Sequence, residues 1–278
     1  METSFNVERL THSDIAENVA LVHGVGWRDS ETDWQVVHDA ALVLGVRREG
    51  SLVAEGALGV YGDAGTIAKM VVEARFQRHG LGSRILSALM SEAEHRGIST
   101  LGLVATPFGR PLYERRGFVP VGEVVVLTGT PDIAEPAEAA APLVTVEPAL
   151  RAERRFIACD RGTMLAARLR VAIASSSLGV DADAPRGYAM ATAQGDNALV
   201  GPIIAQDEPA ARALFSSIHR RVGGAVRIDV PGELGSFRQW LCSLGLVEQG
   251  VRVEMARGAE RLPWQVPERF ALAAQAWG

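Results

Sequence analysis

Apolar positions along this chain switch between two spacings, every second residue and every third or fourth, and the switches mark its elements. Phe5 to Leu10 reads as a short strand. Within THSDIAENVALVHGVGW, Ile15, Val19 and Val22 recur at helical spacing behind the capping-type residues Thr11 and Ser13. DWQVVHDA continues as a second short helix after the polar loop RDSET. ALVLGVRREGSLVAEGALGVY is two β-type runs about REGS, a turn composition, and predicts a hairpin. Thr66 to Val72 is a further strand. SRILSALMSEAEHRG puts Ile85, Leu86, Leu89, Met90 and Ala93 on one face, with Gly97 where a C-terminal cap belongs. TLGLVAT is a buried strand, RPLYERRGF a short helix stopping at Gly117, and VGEVVVLTG another strand.

Residues 129–142, GTPDIAEPAEAAAP, have no sustained apolar period and predict a linker. Beyond it, RAERRFIACDRGTMLAARLRVAI predicts one helix, and GYAMATAQGDNALVGPIIAQ a hairpin about QGDN. EPAARALFSSIHRRVGG is a helix, AVRIDV a strand, SFRQWLCSLGL a helix and VRVEMA a strand. The second half therefore repeats the strand-helix-strand-helix-strand order of the first. The expected organisation is α/β, with one domain over residues 1–128, a linker over 129–142 and a second domain over 143–278.

Composition narrows the partners. A net charge of −5 over 278 residues gives no general attraction to nucleic acid or anionic lipid, and no apolar run approaches the length of a membrane helix. Cys159 and Cys242 are far apart, in no metal spacing, and are expected as buried helical residues. METSFNVERL has no secretion-type apolar stretch, which predicts a cytoplasmic protein. No metal site is expected, since His79 and the scattered histidines lack partners at ligand spacing. RAERR and IHRR read as solvated helix faces and DADA at 181–184 as loop, while Trp264 and Trp277 are expected docking anchors. For Trp27 and Trp34, pocket wall and core anchor stay open.

The loop QRHGLGSRIL joins a strand to a helix through Gly80 and Gly82. Free N–H groups and the positive end of the helix dipole make such a turn an anion site. A P-loop needs Gly-Lys-Ser/Thr, but the sole lysine is Lys69. A dinucleotide fingerprint needs a third small residue where Ile85 stands. What remains is Gln77-x-x-Gly80-x-Gly82 after MVV, with LYERRGF about 30 residues downstream.

Together these resemble the GCN5-related N-acetyltransferase (GNAT) family. The resemblance implies two tandem acyltransferase-like domains, each a mixed, mostly antiparallel sheet flanked by helices, and acetyl-CoA as co-substrate. By that likeness Gln77, Arg78, His79, Gly80, Leu81, Gly82 and Ser83 hold the pyrophosphate. Met70, Val71 and Val72 line the pantetheine arm, and Thr106 contacts the cofactor where many members carry asparagine. Tyr113 is the implied acid for the leaving thiolate. Many members carry a strand glutamate as base where Thr66 stands, leaving Asp63, Glu73, Glu31 and Asp33 as candidates. RGYAMATAQGDNALVGPIIAQDEPAARALFSSI resembles the second domain of tandem members, which lacks the glycine loop and is expected to close over the first domain's cleft. The implied activity is acetylation of a small-molecule amine or a peptide by a monomer or homodimer. A non-catalytic acetyl-CoA-binding module, a protein N-acetyltransferase and an association role for the second domain are the alternatives.

Overall fold

In a computed structural model of the chain, residues 6–133, 140–179 and 185–278 are described. The first half runs β1 (Val7–Leu10), α1 (Ile15–Gly24), α2 (Glu31–Ala40), β2 (Ala41–Arg48), β3 (Ser51–Tyr61), β4 (Ala64–Val72), α3 (Leu81–His95), β5 (Thr100–Ala105), α4 (Arg110–Glu114) and β6 (Val119–Gly129). Local chemistry sets these boundaries. Glu49 and Gly50 both take positive φ, 53° and 83°, the mirror-image turn that suits a two-residue hairpin between Arg48 and Ser51. Ser30 starts α2 with a reciprocal cap, its Oγ accepting from Asp33 N at 3.2 Å while Asp33 Oδ2 accepts from Ser30 N at 2.8 Å.

The second half comprises β7 (Ala141–Pro142), α5 (Glu147–Phe156), α6 (Gly162–Val171), β8 (Ala172–Leu178), β9 (Gly187–Gln194), β10 (Asn197–Ala205), α7 (Glu208–Val222), β11 (Val226–Pro231), α8 (Gly235–Ser243), β12 (Val247–Arg257) and β13 (Arg269–Ala271). The helix predicted over residues 151–173 is two helices followed by a strand. It breaks because the Asp160 carboxylate accepts from Gly162 N at 2.9 Å, while Arg161 turns inward onto Glu153 with contacts of 2.7 and 2.8 Å. RAERR is thus not a wholly solvated face, since Glu153 is buried. Cys159 lies half-buried in the break and Cys242 is exposed, against the expectation of two buried helical thiols. Phe5, residues 134–139 of the linker and DADA at 181–184 lie outside the described residues.

The described strands form one continuous mixed sheet, ordered β1-β2-β3-β4-β5-β12-β6-β11-β10-β9-β8-β7, with β13 paired to β10. Only β4/β5 and β10/β11 pair in parallel. Strand β12 inserts between β5 and β6, and β6 lies between β12 and β11, so the two halves exchange their last long strands. Helix α3 covers one face of β2, β3 and β4 with Ile85, Leu86 and Leu89 fully buried; α1 and α2 occupy the other face. Helix α7 covers β8, β9 and β10.

A core of Trp34, Tyr61, Met164, Tyr188, Trp264 and Trp277 spans both halves. Trp264 and Trp277 are nearly fully buried, and Tyr61 donates to the Trp277 carbonyl at 3.1 Å. A buried guanidinium-carboxylate pair, Arg269 with Glu254 at 2.8 Å through both oxygens, ties the tail to β12. Burial alone would raise the Glu254 carboxyl, but Arg269 outweighs it and holds the group low. No helix among the described residues is long and apolar enough to cross a membrane.

Candidate functional site

Strands β4 and β5 pair only at Ala64–Thr100, Gly65–Leu101 and Thr66–Gly102. From Ile67 to Val72 the strand leaves its neighbour, so one edge of its backbone carries no ladder on that side. A bulge prepares this splay. Between the pairs Glu55–Val71 and Ala57–Ala68, β4 spends one residue more than β3, and Lys69 takes a positive φ of 52°. Gly56 stands opposite, where a Cβ would lie 2.5 Å from Met70 Sδ and 2.8 Å from Ile85 Cγ2. A larger residue there would force the Met70 and Ile85 side chains to shift.

Met70, Val71 and Val72 form the end of this open edge, and the chain then turns through Gln77–Gly80 into α3. Arg78 and Gly80 are both left-handed, at φ 63° and 80°. Gln77 Nε2 donates to the Val72 carbonyl at 3.2 Å, bracing the turn against the strand. The N–H groups of Leu81, Gly82 and Ser83 precede the first helical bond, Arg84 N to Gly80 O at 3.0 Å, and have no carbonyl behind them in the helix. His79 is exposed, its Nδ1 against the Gln77 carbonyl at 2.9 Å. A Cβ on Gly82 would lie 3.5 Å from Leu112 Cδ2 and 3.6 Å from Val72 Cγ2. Strand end, helix start and α4 thus converge on this position, which fits a ligand phosphate approaching the backbone closely.

Across the splay, Thr106 follows β5 and holds the turn into α4, its Oγ1 accepting from Gly109 N at 3.1 Å. Tyr113 is buried against Phe118, ring centres 6.0 Å apart, and burial pushes its phenol up to about 12. It therefore stays protonated at neutral pH. Its hydroxyl has no hydrogen-bond partner among the described residues.

The other face of β4 carries a polar interior that sequence reasoning missed. Glu55 on β3 is fully buried; burial pushes its carboxyl up to about 8, against the opposing pull of the Asn18 hydrogen bond and Lys69. Asn18 Nδ2 donates to Glu55 Oε2 at 2.5 Å, while Oε1 has no partner among the described residues. His38 lies 2.9 Å from Asn18 Oδ1 through Nε2. Burial and then the charge of His12 pull His38 down to about 4, so it is neutral, and facing a carbonyl its Nε2 must carry the hydrogen. His38 thereby orients Asn18, and Asn18 orients Glu55. The available signal was a charged residue amid the apolar run LVAEGALGV.

The base candidates drawn from sequence lie elsewhere. Asp63 is exposed at the far end of β4, Glu73 is paired with Arg75 at 2.5 Å, Glu31 is exposed and Asp33 caps α2. Thr66 is buried, its hydroxyl 3.5 Å from the Ala276 carbonyl. Trp34 is a core anchor and Trp27 a cleft wall, with Lys69 Nζ 5.7 and 5.9 Å from their ring centres.

In the second half, the corresponding parallel pair β10/β11 separates after Val200–Ile228, but β13 fills the gap, pairing Ile203 with Ala271. Leu272 N donates to the Asp229 carbonyl at 2.9 Å, and a Cβ on Gly201 would lie 1.9 Å from Leu272 O. The tail thus occupies in the second half the space left open in the first.

Two models of the acetyltransferase (GNAT) domain match this chain, one over residues 30–133 and one over 149–271. It is 23% identical to the uncharacterized N-acetyltransferase YitH of Bacillus subtilis, across 97% of each chain. The fold is similar to a putative acetyltransferase from Pyrococcus horikoshii, at TM-score 0.84 and 16% identity, covering 100% of this chain and 97% of that one. It is also similar to a tandem GNAT protein from the clavulanic acid biosynthesis pathway, at TM-score 0.66 and 14% identity over 91% and 98%. With two matched domains, a full-length relative and an architecture that repeats the same splayed sheet, the chain belongs to the GNAT acetyltransferase family as a tandem of such domains and is an acyltransferase.

Proposed function

We propose that this chain moves the acetyl group of acetyl-CoA directly to an amine of a small molecule. The observation that carries this reading is the parting of β4 from β5 beside the left-handed turn into α3, with the buried, partly unpartnered carboxyl of Glu55 on the opposite face of the same strands. The free N–H groups of Arg78–Ser83 fit the pyrophosphate, with Gln77 bracing the turn, the open edge at Met70, Val71 and Val72 fits the amide-bearing arm, and Thr106 lies at the facing rim. When bound, acetyl-CoA supplies an acyl thioester activated for attack. Domain boundaries at 128 and 143, with β6 and β12 exchanged, complete the reading: the first domain binds the cofactor, and the second closes the acceptor side.

The residues divide the proton work. Glu55 takes the proton that the amine sheds as its nitrogen bonds the acetyl carbon, through the free Oε1, directly or across one water. Tyr113 gives its proton to the sulfur as the carbon-sulfur bond breaks. Backbone N–H groups on the β4 edge stabilise the charge that develops on the carbonyl oxygen. The net result moves one proton from nitrogen to sulfur. Thr66 in place of a strand glutamate motivates a non-catalytic alternative; Glu55 removes that motive.

The test is a thermal-shift titration with acetyl-CoA, with ATP and NAD as controls, followed by thiol release with a panel of amines. Acetyl-CoA at about 100 times its dissociation constant should add about 2.7 kcal/mol, and the controls nothing. No shift at saturating acetyl-CoA would sink the proposal.

A further inference from the structure

Between the α1–α2 loop and the β8–β9 strands lies a cleft of about 920 Å³, lined by Trp27, Asp29, Asp33, Val171 and Thr192 among others. It adjoins a more enclosed cavity of about 50 Å³ that shares Asp29, Asp33, Val171 and Thr192 and adds Lys69 and Arg168. The first half contributes one wall and the second half the other.

Arg168, on α6, is only 4% exposed. One Nη2 donates to the Gly201 carbonyl at 2.8 Å and reaches Thr192 Oγ1 at 3.5 Å. Its Nε is buried without a partner, and Nη1 makes no hydrogen bond among the described residues. No carboxylate among them forms an ion pair with it. The two acids of the cavity are committed elsewhere: Asp29 holds Lys69 at 2.5 Å, and Asp33 caps α2 through Ser30. Asp33 acts on Arg168 only at longer range, and burial pulls the guanidinium down to about 10, which leaves it cationic at neutral pH. The other deeply buried arginines, Arg161 and Arg269, each have a carboxylate at hydrogen-bond distance. A buried cation without a close counter-ion is unfavourable, and here it faces a cavity at the domain junction.

We propose that Arg168 receives a carboxylate of the acceptor, so that the amine acetylated belongs to the amino-acid class, with amine and carboxylate on one small molecule. This rests on the amine-acetylation reading above. The small cavity takes the carboxylate on Arg168 and the larger cleft takes the side chain. Lys69, which lines the same cavity and whose charge is felt at Glu55, marks the direction in which the amine meets the base. Arginine suits the task because its planar fork matches a carboxylate.

The experiment presents the full chain and acetyl-CoA with each protein amino acid and, in parallel, its decarboxylated amine, reading thiol release and thermal shift. At least one amino acid should be used with kcat/KM on the order of 100-fold above its decarboxylated partner, as the loss of charge-assisted hydrogen bonds implies. In Arg168→Met that ratio should collapse, and in Arg168→Lys it should be partly restored. A preference for decarboxylated amines, or a ratio unchanged in Arg168→Met while only the melting temperature falls, would overturn the site. So would an acetyl-CoA shift with no amino acid acting, which rejects the amino-acid class and leaves acetyl-CoA binding intact. No acetyl-CoA shift and no thiol release from any amine is a different failure, that of the underlying reading. Should Arg168→Met not fold, the wild-type ratio alone decides.

Discussion

Replacing Glu55 with glutamine should make the protein more stable and less active, each by an amount the structure sets. The carboxyl sits near 8 in the folded chain against an ordinary 4.5. Between those values the folded protein keeps a proton that the unfolded chain has lost, so wild-type stability falls as pH rises from about 4.5 to about 8 and levels off above. Each pH unit across that window is worth about 1.36 kcal/mol, so the loss amounts to about 5 kcal/mol as an upper bound. Glutamine has the shape of the protonated acid, and its carbonyl can still accept from Asn18 Nδ2. The stability gain of Glu55→Gln over wild type should therefore be near zero at pH 4.5 and rise to at most about 5 kcal/mol at pH 8.5. Guanidinium unfolding at a series of pH values measures this. Over the same series kcat/KM of the wild type should climb through about pH 8 as Glu55 ionises, and Glu55→Gln should lose about 10²- to 10⁴-fold of it. A stability difference that is flat across pH would refute the buried, protonated carboxyl. A variant with wild-type kcat/KM would refute its role as base.

Tyr113→Phe should keep the ring packed against Phe118 and, since the hydroxyl has no protein partner among the described residues, change stability by no more than about 0.5 kcal/mol, yet lower kcat by about 10² or more; equal turnover would remove Tyr113 from the chemistry. At Gly82 the neighbouring side chains stand at 3.5 and 3.6 Å from a built Cβ, so Gly82→Ala should still bind acetyl-CoA in a thermal-shift titration while Gly82→Leu should not; equal binding by both would mean the ligand does not approach that backbone. Arg161→Met would strand the buried Glu153 carboxylate, which keeps only the Tyr188 hydroxyl, and should cost about 3–5 kcal/mol in guanidinium unfolding. A loss below about 1 kcal/mol would show that the carboxyl simply takes up a proton.

Much of the first half was legible because its signals are local. The period of SRILSALMSEAEHRG, the turn chemistry of REGS and the Gln77-x-x-Gly80-x-Gly82 spacing each depend on residues a few positions apart, and α3, the β2–β3 hairpin and the left-handed Gly80 follow them. Where the outcome depended on distant partners, the pattern misled. A helical period runs through residues 151–173, but Arg161 gains more by reaching Glu153 inside than by continuing the helix, and residues 172–178 find a sheet edge beside β9. The tandem repeat of strand and helix order was visible in the sequence, whereas the exchange of β6 and β12 was not, because which strand lies beside which is set by packing across the whole sheet. The proposed base escaped for the same reason. Glu55 is one acid in an apolar strand; burial under α1 and α2 raises its proton affinity against the pull of Asn18, 37 residues away, and both are tertiary contacts. The sequence by itself determined the elements, the glycine turn and the family likeness, since these rest on backbone propensity and periodicity. Only the tertiary structure decided which buried charges are paired and which face a cavity, since desolvation and partnering are properties of the assembled interior.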